Sequence, residues 1–67
     1  MVKLEELKEI IARSGMTVTA LANFAGVDRT TLYNRMKGVG EFTASEIVGL
    51  TRALHLEKDV RDDIFLS

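Results

Sequence analysis

The chain has 67 residues, 46% of them hydrophobic and 28% charged, with nine Lys and Arg against ten Asp and Glu for a net charge of −1. That balance fits one small folded domain and argues against intrinsic disorder, and the length leaves no room for a second core or a catalytic lobe. The lack of cysteine excludes disulfide staples, thiolate zinc sites and thiol nucleophiles, and a single histidine excludes a histidine metal cluster.

No apolar run approaches the ~20 residues of a membrane span, and the opening Met1-Val2-Lys3-Leu4-Glu5-Glu6 is not a signal peptide, so a cytoplasmic protein is expected. Proline is absent and β-branched runs are short, which points to an all-α bundle stabilised by helix packing. Charge is unevenly spread. Residues 1–9 carry −1, residues 10–40 carry +3 and residues 41–67 carry −3. A basic island between acidic flanks can aim one face at an anionic partner.

The first helix is expected over about Leu4–Arg13, where Leu4, Leu7, Ile10 and Ile11 share a face. Acids crowd its first turns and Arg13 its last, as the helix dipole favours, and Ser14-Gly15 ends it. Thr17 is a natural N-cap for a second helix through Ala25, with Val18, Leu21, Ala22 and Ala25 inward and Gly26 closing it. Asp28 caps a third helix over Arg29–Lys37, which Gly38 ends. Two helices of about nine residues are thus joined by Gly26-Val27-Asp28, a link too short for an antiparallel pair, so a steep crossing is expected.

The fourth helix opens on Thr43-Ala44-Ser45-Glu46, a capping box, with Phe42 and Ile47 as the matching hydrophobic staple. It continues through Leu54 with Ile47, Val48, Leu50 and Leu54 inward. Gly49 costs it about 1 kcal/mol against alanine; it either allows a close helix contact or is simply tolerated. A fifth helix is expected over Glu57–Leu66, with Val60 and Ile64 inward. His55 falls at a helix end, in a surface or capping role.

The informative pattern is Thr17, Leu21, Ala22, Gly26, Val27, Thr31 and Leu32. At these spacings the chain resembles the helix-turn-helix of the XRE-type transcription regulators, the family of the phage Cro and CI repressors. The resemblance covers nearly the whole chain and implies a compact five-helix, lambda-repressor-like domain, with the helix-turn-helix at about residues 17–37 of a single 1–67 unit. It also implies a recognition helix at Arg29–Lys37 lying in the DNA major groove. Val18 departs from the family, many of whose members carry there a glutamine that clamps a phosphate.

With Leu32 and Met36 inward, helical spacing turns Arg29, Thr30, Tyr33, Asn34 and Lys37 outward. Arginine pairs bidentately with guanine, asparagine with adenine, and threonine meets a base edge or a thymine methyl. Arg29, Thr30, Tyr33 and Asn34 are therefore the candidate base readers. Thr17, Thr19, Arg35 and Lys37, with the amides of Gly38 and Gly40, are the candidate phosphate contacts. Arg35 has a second reading, as the partner of an acid, and Phe24 on the usually polar side of the second helix is either a contact residue or packing for a neighbouring helix.

One short recognition helix is rarely enough for a specific site, so a homodimer is expected, with Ile64, Phe65 and Leu66 as its candidate contact or, equally, as part of the domain's own core. No constellation assembles a catalytic site. Lys37-Gly38-Val39-Gly40 lacks the P-loop order, and the adjacent Asp62 and Asp63 lie on different sides of a helix. No enzyme, cofactor, metal or small-molecule substrate is expected. The functional expectation is a Cro-like repressor of a bacterial or phage-infected cell, occluding a promoter by binding a duplex operator. The alternative is the same fold used to bind protein, as in an antirepressor or an antitoxin-like subunit, which the acidic pI of about 5.7 favours.

Overall fold

In the computed structural model the described residues, Met1–Leu66, form five helices and no strand; Ser67, the last residue of the expected domain, lies outside them. The helices are α1 (Leu4–Ser14), α2 (Val18–Ala25), α3 (Arg29–Met36), α4 (Ala44–Ala53) and α5 (Lys58–Phe65). Their boundaries fall within two residues of those expected, and side-chain caps fix the starts of α2, α3 and α4, while α1 and α5 start without one. Thr17 Oγ1 accepts from the Ala20 amide at 3.1 Å. The Asp28 carboxylate accepts from the amides of Thr30 and Thr31 at 3.0 and 3.2 Å. Thr43 and Glu46 close the reciprocal capping box, with Glu46 N donating to Thr43 Oγ1 at 3.2 Å and Thr43 N to Glu46 Oε1 at 3.0 Å.

A single core holds the helices together. Leu7 and Ile11 from α1, Leu21, Ala22 and Ala25 from α2, Leu32 from α3, Leu50 from α4, and Ile64 and Phe65 from α5 are all buried. α2 is the hub, packing most extensively on α4 and next on α3, while α1 packs on α5. The α2–α4 contact is close because Gly49 is buried and has no side chain: a Cβ there would collide with the Ala25 carbonyl oxygen. The whole unit measures 25 × 23 × 20 Å. No helix among the described residues is long and apolar enough to cross a membrane.

Two residues expected inside are outside. Val48 on α4 is 53% exposed and Val60 on α5 is 39% exposed. Both sit beside the buried stripe of their helix rather than on it; α4 turns Gly49 and Leu50 inward, and α5 turns Ile64 and Phe65.

The ends of the chain are joined. Lys3 N donates to the Ile64 carbonyl at 2.8 Å, and Lys3 Nζ pairs with Asp63 at 2.8 Å. The hydrogen bond to Asp63 raises the Lys3 ammonium above its ordinary value of 10.5, helped by the charges of Asp63 and Glu6 and opposed by partial desolvation. Phe65 meets Phe42 edge-on, with ring centroids 5.3 Å apart at 70°. Ile64 and Phe65, candidates for a homodimer contact, are therefore core: they are 1% and 6% exposed. Only Leu66 of that cluster remains at the surface, because the core takes up Ile64 and Phe65, the latter against Phe42.

Candidate nucleic-acid interface

α2 and α3 are joined by a turn that their own residues determine. Gly26 takes a left-handed backbone (φ 71°), its amide donates to Asn23 O at 3.4 Å, and Val27 N reaches back to Ala22 O at 3.0 Å. This closes α2 in a Schellman arrangement, and Asp28 begins α3 two residues later. Leu32, fully buried, anchors the inner side of α3, with Met36 and Val27 half-buried against the same core.

The outer side of α3 is a stripe at positions 29/30, 33/34 and 37. Arg29, Thr30, Tyr33 and Lys37 are exposed, and Asn34 is half-buried. Among the described residues no acid stands at ion-pair distance from Arg29 or Lys37, whereas five of the chain's nine cations, Lys3, Lys8, Arg13, Arg35 and Arg61, are paired. The remaining two, Arg52 and Lys58, lie on α4 and α5. The free positive charge of the basic island is thus concentrated at the two ends of one exposed helical stripe.

Thr17 and Thr19 are exposed at the head of α2. The Thr17 oxygen accepts the capping bond, which leaves its hydroxyl proton free to donate. Arg35, a candidate phosphate contact, is placed otherwise. Its Nε and Nη2 donate to the two Glu46 oxygens at 3.1 and 3.5 Å, and its Nη1 donates to the Val39 carbonyl at 3.2 Å. Its side chain is only 19% exposed and that of Glu46 14%. The guanidinium is spent on fastening the end of α3 to the start of α4, so the acid-pairing alternative is the one the structure adopts. The Gly38 amide is likewise occupied, donating to the Arg35 carbonyl at 3.0 Å.

Local pattern could not announce Glu46 as the partner of Arg35. Eleven residues separate them, and Glu46 already had a complete role in the capping box. The same holds for the groove beside Phe24, which is 70% exposed: its lining residues come from three separate stretches of chain.

The chain matches no family model, no curated protein and no solved structure in these three comparisons. Two unpaired cations, two hydroxyls and a carboxamide along one rigid helix form a set of donors suited to a polyanion with hydrogen-bonding edges.

Proposed function

We propose that the chain is a sequence-specific duplex-DNA-binding regulator, a small Cro-like repressor that occludes a promoter and carries out no chemistry. In this reading α2 and α3 form a helix-turn-helix with α3 as the recognition helix. Arg29, Thr30, Tyr33 and Asn34 read base edges, while Lys37, Thr17 and Thr19 hold phosphates. The observation that carries the reading is the exposed stripe of α3, where Arg29 and Lys37 stand without acidic partners among the described residues, on a helix anchored by Leu32. Unneutralised cations beside exposed hydrogen-bonding side chains are what groove binding needs, and they occur here on the one helix that the short turn presents.

The site of action would be the cytoplasm of a bacterial or phage-infected cell. A second reading, the same domain binding protein, is favoured by the exposure of Phe24.

The deciding experiment is selection from a randomised duplex library at about 0.1 M salt, where screening trims non-specific contacts. An enriched two-fold-symmetric site with half-sites one helical turn apart is the expected result. No enrichment by the folded protein, together with no steep dependence of binding on salt, would overturn DNA reading and leave the protein-binding module.

A further inference from the structure

A groove of about 610 Å³ lies at the C-terminal ends of α1, α2 and α4 and shares no residue with the α3 stripe. Met16, Ala53 and Leu54 make it apolar, Phe24 stands 70% exposed at its side, and Arg52 and His55 lie at its rim. Among the described residues Arg52 has no acid at ion-pair distance, and Val48, exposed one turn earlier on α4, is the next apolar side chain on that side of the helix. A second depression of about 280 Å³ lies between α1 and α5, where Ile10 and the exposed Val60 are flanked by Glu6 and Glu9. Glu6 forms no ion pair with the described residues, and Glu9 is 3.5 Å from Arg13.

The two depressions adjoin along α1. Ile10 and Arg13 line the acidic one, and Ser14, one turn beyond Ile10, lines the basic one. One side of the molecule therefore carries an apolar groove with a cation outside the ion pairs of the described residues, next to an apolar strip with a carboxylate, Glu6, that is also outside them and acts on Lys3 only at longer range. A surface whose two halves complement each other in charge and share apolar character is self-complementary under a two-fold rotation. We propose that this side is where a second copy of the chain docks. The axis passes near the last turn of α1, so that Phe24 and Arg52 of each copy meet Val60 and Glu6 of the other. Arg13, nearest the axis, is already neutralised by Glu9, so the rotation brings no bare like charges together there.

This places the dimer contact on α1, α2, α4 and α5 rather than on Ile64 and Phe65, which the core has absorbed. It deepens the operator-binding reading, resting on that reading only for the purpose of the dimer. No DNA enters its test, so the two can fail separately.

The test is sedimentation equilibrium of the full chain at low salt, where a pair of rim charges is least screened. The wild type is expected to dimerise at micromolar concentration. Phe24→Glu, a substitution at an exposed position, should weaken the dimer at least tenfold while leaving the circular dichroism unchanged. Arg52→Glu and Glu6→Arg should each weaken self-association. Mixed together, the two should form a heterodimer about as tight as the wild-type dimer, because both cross-pairs then regain opposite charges. A chain that stays monomeric to about 1 mM, a Phe24→Glu protein that dimerises normally, or a charge-swapped mixture that associates no better than its components would overturn the proposal. The first of these outcomes would leave the groove for a different protein partner.

Discussion

The bare Cα of Gly49 in α4 faces the carbonyl oxygen of Ala25 at the end of α2, and no side chain fits between them. The contact sets how closely α2 and α4 approach, and α2 in turn positions α3. Helix propensity alone says that alanine in place of Gly49 stabilises the helix by about 1 kcal/mol. The packing says the opposite, because the neighbour of the new methyl is backbone and cannot swing aside. Gly49→Ala is expected to destabilise the domain by about 1–3 kcal/mol net. Urea unfolding measures this, and a stabilised variant would show that the two helices part without cost.

His55 is the only described non-glycine residue with a left-handed backbone (φ 54°). It ends α4 as glycine ends α2: Leu56 N donates to Thr51 O at 3.0 Å across it. A side chain in this conformation costs on the order of 1 kcal/mol, offset in part by the greater flexibility glycine brings to the unfolded chain. His55→Gly should therefore raise stability by about 0.5–1 kcal/mol. Thermal unfolding reads the effect; a lower melting temperature would mean that the imidazole makes a favourable contact that outweighs the strain.

The Arg35–Glu46 pair is largely shielded from water on both sides, so removing one partner strands the other. Arg35→Met is expected to cost about 1–3 kcal/mol, between the values for exposed and buried pairs. Glu46→Gln keeps the side-chain acceptor that the capping box needs and removes only the charge. The double variant should recover about 1 kcal/mol or more relative to the sum of the single ones. Strict additivity in the cycle would demote the pair to a coincidence of geometry.

Arg29 and Lys37 sit at opposite ends of the α3 stripe and should fail differently. Replacing Arg29 by alanine is expected to cost about 1–3 kcal/mol on the selected site and to relax selectivity at one base pair. Lys37→Ala should weaken binding to all duplexes alike and reduce the salt slope by about one. Competition binding against single-base variants of the site separates the two patterns. An Arg29→Ala protein with unaltered selectivity would remove Arg29 from the base readers.

Helix positions were legible because capping is local. Thr17, Asp28 and the Thr43–Glu46 box each announce a first turn within four residues, and Gly15, Gly26 and Gly38 each announce an end. The exposed stripe of α3 was legible because only Leu32 and Met36 are apolar there. Where apolar residues run consecutively, as in Ile47-Val48-Gly49-Leu50, composition does not say which way the helix is turned. The answer came from Gly49 and its tertiary neighbour, and Val48 was expected on the wrong side. Arg35 had two readings, and the pattern could not choose between them for a related reason. Its partner lies across a loop, and a sequence read in helical windows does not relate one helix to the next.

The burial of Ile64 and Phe65 has a consequence for the order in which the molecule is made. A chain leaving the ribosome at ~5–20 residues per second brings α1 out ahead of α5. Leu7 and Ile11 then have no α5 to close over them, and the backbone bond from Lys3 to Ile64 cannot form. The first helix must wait for the last, so this core is completed only after synthesis has passed residue 65.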